Sequence, residues 1–196
     1  MGKMRKPIPP EATSVFKGKI FEVFQWEQKM FDGRTITFER LRRPNTVQVI
    51  AVEGDNILLL KEKQPDTDYY LTFPGGRAEI NEDPLEACKR EMLEEIGYSS
   101  EKWELFFEDD PVGKMEWTIY TYIARDCQKS QEPRLDGGEA IELQPVSFDH
   151  LLNLTDDENF HIGSIKELLL RARFNPDDNE ELRRRLFGHS IDVSAA

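Results

Sequence analysis

The segment between residues 76 and 98 constrains the fold of this chain more than any other part of the sequence. Asp83 is a good N-cap, Pro84 suits the first helical position, and Glu86 stands three residues after the cap, as in a capping box. Gly97 is well placed to end a helix. The sequence therefore predicts one helix that begins after the aspartate and ends before this glycine.

The predicted helix, over residues 83–96, has two distinct faces at about 100° per residue. Glu91, Glu94 and Glu95 share one face, where neighbours three and four positions apart repel one another. Hard oxygen ligands that converge on one spot are what Mg²⁺ or Mn²⁺ requires. An acidic face that is merely solvated is the alternative interpretation. The other face is apolar and should meet the core; it holds Leu85, Cys88, Met92 and Ile96.

The spacing of the segment decides between these interpretations. Gly76 is followed after five residues by Glu82, and after seven more by the run Arg90-Glu91-Met92-Leu93-Glu94-Glu95-Ile96-Gly97-Tyr98. This resembles the Nudix box, which has the same order and spacing and ends in Arg-Glu-aliphatic-any-Glu-Glu-any-Gly-aliphatic. All the fixed charged and glycine positions match, and Tyr98 is a mild departure at the last apolar position. The segment is therefore identified as a Nudix box.

The resemblance implies a metal site on the acidic face of the helix. Glu91, Glu94 and Glu95 would bind catalytic Mg²⁺, with Mn²⁺ as a substitute, and Glu95 would also count among the catalytic residues. The carbonyl of Gly75 or Gly76, in the loop before the helix, would be a further ligand. Such metals neutralise the charge of a diphosphate and lower the pKa of a bound water.

Two further box residues have supporting roles by the same resemblance. Arg90 would pair with Glu82 or Glu91 and hold the helix and the loop in their geometry, which makes it part of the catalytic group. Glu82 would be an outer metal residue. The protein would then need little more than placement of the substrate and a base.

The base is expected downstream of the box. Glu139 follows Asp136-Gly137-Gly138, in a loop just before a predicted strand over residues 141–146, and related enzymes draw a glutamate from that loop. Glu142 and Glu116 are alternates. A plain surface acid is the alternative interpretation for each of these glutamates.

The residues before the box resemble the N-terminal half of ADP-ribose pyrophosphatases. In those enzymes a small β-hairpin leads into the Nudix sheet, contributes to dimerisation and carries aromatic residues that stack on adenine. Phe24 and Trp26 are the candidates for stacking here, with aromatics of the core or the dimer interface as the alternative. The matching stretches are Phe16-Lys17-Gly18, Met30 to Arg34, Phe38 to Arg40 and Arg43 to Val47.

Two departures from these enzymes concern the substrate. Similar pyrophosphatases often carry an arginine just beyond the aliphatic strand before the box, whereas this chain has Lys61-Glu62-Lys63-Gln64. Lys61 or Lys63 would then contact the phosphates, without the bidentate fork of an arginine. The downstream proline of the family is matched only approximately, by Pro111.

The formal charge of −12 bears on the partners of the chain. An acidic surface repels nucleic acid at long range, which disfavours duplex binding, whereas a site can still recruit divalent cations for a small anionic substrate. The chain has two cysteines, Cys88 and Cys127, far apart in sequence, which is the pattern of neither a disulfide framework nor a metal knuckle and favours a reducing cytoplasm. No stretch is apolar enough to span a membrane, and Met1 to Pro10 lacks the apolar core of a signal peptide.

The order of elements indicates an α+β domain with α-β-α layers, and the resemblance implies the Nudix fold, a mixed sheet with an N-terminal β-hairpin extension and C-terminal helices. Val15 to Trp26 and Thr35 to Leu41 flank the hairpin turn Asp32-Gly33. Further strands are predicted over 46–52, 57–60, 69–73, 103–107, 117–124 and 141–146, and later helices over 148–152, 162–174 and 178–187. The expected divisions are a flexible arm (1–13), a β extension that dimerises (14–45), the Nudix domain (46–160), C-terminal helices (161–189) and a tail (190–196).

Three functional hypotheses follow. The leading one is hydrolysis of ADP-ribose or a related nucleoside diphosphate sugar to a nucleoside monophosphate and a sugar phosphate. The second is a Nudix enzyme for nucleoside triphosphates, dinucleoside polyphosphates or RNA 5′ ends, which the N-terminal hairpin region disfavours. The third is a non-catalytic ligand sensor of the same fold; such proteins often lose box glutamates, and here all are present.

Overall fold

The computed structural model describes residues 7–79, 81–135, 137 and 140–188. Its strands are β1 (Thr13–Lys17), β2 (Glu22–Lys29), β3 (Thr35–Arg42), β4 (Thr46–Glu53), β5 (Asn56–Lys63), β6 (Tyr70–Thr72), β7 (Gly75–Arg77), β8 (Tyr98–Ser99), β9 (Lys102–Asp109), β10 (Met115–Glu116), β11 (Ile119–Arg125), β12 (Gln128–Lys129) and β13 (Ala140–Ser147). Its helices are α1 (Pro84–Glu95), α2 (Phe148–Asn153), α3 (Ile165–Phe174) and α4 (Pro176–Phe187), with one 3₁₀ turn at Leu154–Asp156. Within the described ranges, no helix has both the length and the apolar character needed to cross a membrane.

A mixed sheet forms the centre of the molecule, with the strand order β13-β5-β4-β11-β9. β4 and β11 run parallel, whereas β5 is antiparallel to both β4 and β13. The short strands β6 and β7 pair with β5 and β4. Because β7 leads directly into the loop before α1, it fixes that loop against the sheet.

Side chains alternate along β5 and give the sheet two apolar faces. Ile57 and Leu59 belong to the core that packs against α2, α3 and α4. Leu58 and Leu60 belong to the opposite core, which packs against the apolar face of α1. The α-β-α layers predicted from the sequence are therefore confirmed.

A second, four-stranded sheet is formed by β1, β2, β3 and β10. β2 and β3 pair antiparallel over their full length, from Glu22 opposite Arg42 to Lys29 opposite Thr35. Gly33 adopts φ +87° in the turn between them, a conformation that glycine enters without strain. The predicted hairpin is present, and its first strand is divided by a turn into β1 and β2.

The helix α1 begins and ends where the sequence predicts. The Asp83 carboxylate accepts the backbone N–H groups of Leu85 and Glu86, at 2.9 and 3.3 Å. The Glu86 side chain contacts Lys89 at 2.7 Å instead of returning to the cap, so the reciprocal half of the capping box is not formed. Gly97 follows the helix with φ +73°, a left-handed conformation that only glycine adopts cheaply.

The C-terminal helices cover the second face of the sheet. Asn175 accepts the N–H groups of Asp177 and Asp178, and Pro176 takes the first helical position, so α4 begins before the predicted residue 178. Glu104 on β9 forms salt bridges with both Arg125 and Arg185, which joins α4 to the sheet.

Candidate active site

A cavity of about 650 Å³ opens between α1, β7, the ends of β5 and β6, and the segment before residue 136. Its walls carry more polar and charged groups than apolar ones, which suits an ionic ligand. The lining residues are Thr46, Val47, Gln48, Glu62, Gln64, Tyr70, Thr72, Phe73, Gly75, Gly76, Arg77, Glu79, Arg90, Glu91, Glu94, Glu95, Arg134 and Leu135.

The three glutamates predicted as metal ligands all line this cavity. Glu95 is 8% exposed, and its Oε2 accepts the backbone N–H of Gly75 at 2.7 Å. Glu91 faces Gly76, where an added Cβ would lie 2.6 Å from the carboxylate. Glu94 comes from the next turn of α1. The structure therefore brings together the acidic face of α1 and the glycine loop, as the sequence predicts.

The glycines of the loop allow this close approach. Gly75 adopts φ +154°, and a Cβ there would lie 2.9 Å from the Cα of Gln48 and closer still to the carbonyl oxygen of Val47. Val47 and Gly76 are paired across β4 and β7. A side chain at either glycine would separate the loop from the strand or from the helix.

Arg90 connects the loop to the helix. Its guanidinium donates to both carboxylate oxygens of Glu82, at 2.9 and 3.0 Å, and to Glu91 and Glu94 at 2.9 and 3.1 Å. It also donates to the carbonyl oxygen of Arg77 at 3.3 Å. Both partners expected for Arg90 are thus in contact with it. The hydrogen bonds with Glu82 raise the pKa of Arg90 and lower that of Glu82, so this pair is held in its charged form.

Glu82 lies on the far side of this arginine. It lines a second cavity, of about 540 Å³, next to the N-terminal sheet, and does not line the cavity that holds Glu91, Glu94 and Glu95. Its carboxylate also accepts the N–H of Glu79 at 2.7 Å. The geometry gives Glu82 the role of holding Arg90, while its part as an outer metal residue stays a prediction.

The donor set of the cavity suits a hard divalent cation, since it combines three carboxylates on one helix face with a loop that approaches them closely. Within the described ranges, acidic, histidine and cysteine side chains are not gathered in threes around one point. The carboxylates of Glu91 and Glu94 contact Arg90 instead. A bound cation would have to compete with this arginine for both carboxylates.

The predicted base, Glu139, lies outside the described residues. Of the alternates, Glu142 on β13 forms a salt bridge with Lys61 at 3.1 Å, and Glu116 on β10 forms one with Arg42 at 2.5 Å. Neither alternate lines the cavity of the box glutamates.

The chain that leads towards Glu139 is attached to the end of α1. Ser130 and Gln131 donate their N–H groups to the carbonyl oxygen of Gly97, at 2.8 and 3.1 Å, and Arg134 donates its N–H to that of Glu94 at 2.7 Å. These main-chain bonds satisfy carbonyl groups that a helix end leaves unpaired. They also bring Arg134 into the wall of the cavity.

The predicted substrate contacts lie elsewhere. Phe24 and Trp26, on β2, have arginine side chains over their rings, at 4.5 Å for Arg42 and 5.8 Å for Arg40, and neither aromatic residue lines the cavity. Their stacking on a base stays a prediction.

Lys61 and Lys63 share the face of β5 that bears Ile57 and Leu59, opposite α1. Both ammonium groups lie over the ring of Tyr69, at 4.8 and 5.5 Å. Neither lysine lines the cavity, and their contact with phosphate stays a prediction.

Several lining residues are not found by reasoning from the sequence. The signal for Glu62 is its place in the alternation of β5, since it shares the α1 side with Leu58 and Leu60. Arg77 stands inside the box at a position with no fixed identity. Arg134 has no local signal, because it reaches the cavity through contacts with a helix far away in sequence.

Comparison with known families settles the class of protein. A model of the family described as NUDIX domain matches residues 42–168, which is more than half of the chain. The chain belongs to the Nudix family. The match covers α1, the glycine loop before it and the central sheet.

Relatives of this Nudix protein include two enzymes that are named for ADP-containing substrates. It is 26% identical to the ADP-ribose pyrophosphatase of Bacillus subtilis, over 75% of this chain and 82% of that protein. It is 27% identical to the ADP compounds hydrolase NudE of Escherichia coli, over 81% and 87%. Together with the family match, these relatives confirm the predicted enzyme class, a Nudix pyrophosphohydrolase.

Two further likenesses extend over most of the chain. The methanol dehydrogenase activator of Bacillus methanolicus is 26% identical, over 82% of this chain and 89% of that protein. A crystal structure of an ADP compounds hydrolase superposes with a TM-score of 0.68, covering 88% of this Nudix enzyme and 95% of that chain at 19% identity. This last likeness supports the fold alone, and it confirms the predicted α+β Nudix architecture.

Proposed function

We propose that this Nudix enzyme hydrolyses a nucleoside diphosphate linked to a sugar, with ADP-ribose as the leading substrate, to a nucleoside monophosphate and a sugar phosphate. The observation that carries the proposal is that Glu91, Glu94 and Glu95 line one polar cavity together with the glycine loop. The printed names of two relatives, an ADP-ribose pyrophosphatase and an ADP compounds hydrolase, support this substrate class.

The three carboxylates would hold divalent metal, with Mg²⁺ expected and Mn²⁺ as a substitute. When bound, the metal neutralises diphosphate charge and supplies a water of lowered pKa. The chain contributes the placement. Gly75 holds the Glu95 carboxylate through its backbone N–H, and Arg90 holds Glu91 and Glu94.

Two cationic side chains of the cavity remain for the diphosphate. Arg90 is committed to Glu82, Glu91 and Glu94. Arg77 and Arg134 line the same cavity, and within the described ranges neither guanidinium forms a salt bridge. An arginine fork matches a phosphate with two parallel hydrogen bonds. These two arginines would therefore bind the phosphates in place of the arginine that similar pyrophosphatases often carry near the end of the strand before the box, and that this chain lacks there.

A substrate panel tests the proposed function. The panel holds ADP-ribose, other nucleoside diphosphate sugars, dinucleoside polyphosphates, nucleoside triphosphates and a 5′-triphosphorylated RNA, each with Mg²⁺, with Mn²⁺ and with EDTA. Fastest turnover is expected on a diphosphate sugar, with loss in EDTA and recovery when Mg²⁺ is restored. Preference for a triphosphate, a polyphosphate or the RNA would contradict the proposed substrate. No turnover of any compound would contradict catalysis and favour a sensor.

Glu139 is proposed as the general base. Glu139→Gln should lower kcat by about 100- to 10,000-fold, the usual contribution of a positioned base. Mg²⁺ binding, measured by titration calorimetry, should persist because the box carboxylates remain. Glu142→Gln and Glu116→Gln serve as parallel variants, and an unchanged rate in Glu139→Gln would transfer the role to whichever of these loses activity.

We propose that the N-terminal sheet joins two copies of the chain. Its exposed apolar side chains are too many for a surface that meets only water; they include Val15, Phe16, Ile20, Phe21, Phe31, Ile36 and Phe38. Sedimentation should give a dimer for the native chain and a shift towards monomer for Phe16→Asp with Phe31→Asp. Phe174→Asp, at an exposed site on α3, is the control. A native chain that sediments as a monomer would exclude the interface.

A cytoplasmic location fits the chemistry of the two cysteines. Cys88 and Cys127 are both free and buried, and burial raises the pKa of Cys127 to about 12 and that of Cys88 further. Such thiols are inert and form no disulfide. The formal charge of −12 supports a small-molecule substrate in preference to a nucleic acid.

A further inference from the structure

Glu62 is an acidic residue of the cavity that lies outside the Nudix box. Alternation along β5 places it on the same side as Leu58 and Leu60, facing α1, while Lys61 and Lys63 lie on the other side. It lines the cavity together with the box glutamates. Strand β5 therefore presents a carboxylate to the cavity, while both lysines lie on its other side.

Among the described residues, the Glu62 carboxylate has a neutral hydrogen-bond partner and no ion pair. The residue is 7% exposed, and Gln64 donates its Nε2 to Oε1 of the carboxylate at 2.8 Å. Within the described part of the chain, no lysine, arginine or histidine forms a salt bridge with it. A buried carboxylate held only by a neutral amide is costly unless a ligand supplies further donors.

The charge of Glu62 indicates which kind of hydrogen-bond donor a ligand should offer it. A phosphate offers acceptor oxygens and negative charge, which a carboxylate repels, whereas a hydroxyl donates a short charge-assisted hydrogen bond. Arg77 and Arg134, the cationic groups suited to the phosphates, line the same cavity but form no salt bridge with Glu62 among the described residues. The Glu62 carboxylate itself therefore suits the uncharged, hydroxylated part of a ligand better than its phosphates.

An aromatic side chain stands beside this carboxylate. Tyr70 on β6 is paired in register with Glu62 on β5, and it also lines the cavity. Its ring is stacked on His161, with centroids 4.9 Å apart and the planes 17° from parallel, which favours this orientation. An aromatic ring beside a hydrogen-bond acceptor matches a sugar, which has an apolar C–H face and hydroxyl edges.

We propose that Glu62, held by Gln64 and flanked by Tyr70, accepts hydrogen bonds from sugar hydroxyls of the group linked to the diphosphate. This inference rests on the proposed function and deepens it, because it assigns a residue to the choice of that group. Glu62 is a specificity residue here. The attack on the diphosphate depends on other side chains.

The test compares two substrates that share adenosine and diphosphate. ADP-ribose carries a sugar on the far phosphate, and the methyl ester of ADP carries none. Glu62→Gln should lower kcat/KM for ADP-ribose by about 10- to 100-fold, mainly through KM, and change that for the methyl ester less than about threefold. Glu86→Gln, at an exposed position of α1 paired with Lys89, is the matched control and should leave both values unchanged.

The outcomes separate the possibilities. Equal losses of kcat/KM on both substrates would show that Glu62 acts on metal or water. Unchanged kcat/KM on both would show that Glu62 does not contact the sugar. Either result would overturn the proposal. Should Glu62→Gln lower the melting temperature, Gln64→Leu at an exposed position supplies a second variant, with the same selective loss expected. A native enzyme that hydrolyses neither substrate would instead contradict the proposed function.

Discussion

Glutamine in place of Glu94 or Glu95 should lower kcat by about 100-fold or more, with little change in the melting temperature. Each substitution removes one negative charge from the face that would hold the metal. The shape of the side chain is conserved. In Glu95→Gln the remaining amide oxygen can still accept the N–H of Gly75, which binds Glu95 at 2.7 Å in the native chain. The loss should therefore arise from metal binding and leave the loop in place.

The control for these variants is Glu86→Gln, since Glu86 lies on the same helix and contacts Lys89 at the surface. Steady-state turnover on the preferred substrate is measured across a range of Mg²⁺ concentrations. The apparent Mg²⁺ affinity should fall in both active-site variants and stay constant in the control. Near-native turnover in Glu94→Gln and Glu95→Gln would refute their assignment as metal ligands.

Alanine at Gly75 should act mainly on stability and alanine at Gly76 mainly on activity, although the two glycines are adjacent. Gly75→Ala forces a Cβ onto the backbone of β4 at φ +154°, and backbone cannot move aside cheaply. The free energy of unfolding should fall by about 3 kcal/mol or more. At Gly76 the three atoms nearest to an added Cβ all belong to the Glu91 carboxylate, the far end of a side chain that can move once its contact with Arg90 is lost. Gly76→Ala should cost about 1 kcal/mol or less in stability but lower kcat by about 10- to 100-fold, because Glu91 is displaced.

Denaturant unfolding and steady-state kinetics on the same samples distinguish the two effects. Gly113→Ala is the matched control, since a Cβ there meets nothing within 4 Å. Full activity in Gly76→Ala would mean that Glu91 is not needed where the structure places it. A native melting temperature in Gly75→Ala would mean that β7 is not held against β4 as described.

The parts of the fold that the sequence predicts are those determined by local interactions. Asp83, Pro84 and Gly97 define α1 through their own backbone preferences, so both ends of the helix agree with expectation. The start of α4 is predicted two residues late, at 178 and not 176. The periodicity of the apolar residues places the start at 178, whereas Asn175 as the cap and Pro176 as the first helical residue place it at 176.

The parts of the site that the sequence does not predict depend on contacts between distant segments. The positive charge of Lys61 and Lys63 makes them reasonable candidates for phosphate ligands. The side of β5 on which they lie is set by the packing of the two cores against the sheet, and local sequence does not reveal it. The same alternation brings Glu62 into the cavity. Arg134 lies in the wall of the cavity because its backbone N–H binds a carbonyl oxygen at the end of α1. No sequence pattern near residue 134 predicts this contact.

The attachment of residues 130–134 to the end of α1 has a consequence for how this enzyme can change over generations. Several of the bonds that hold this segment are donated by backbone N–H groups, those of Ser130, Gln131 and Arg134. Any residue except proline supplies that donor. Arg134 lines the cavity, so its side chain can be exchanged, and with it the molecule that is recognised, while the backbone bonds keep the segment beside the catalytic helix. New substrate ranges should arise by substitution in this segment more readily than by substitution in the box. The box carboxylates are needed for the proposed metal site, and its glycines are needed for the close approach of the loop.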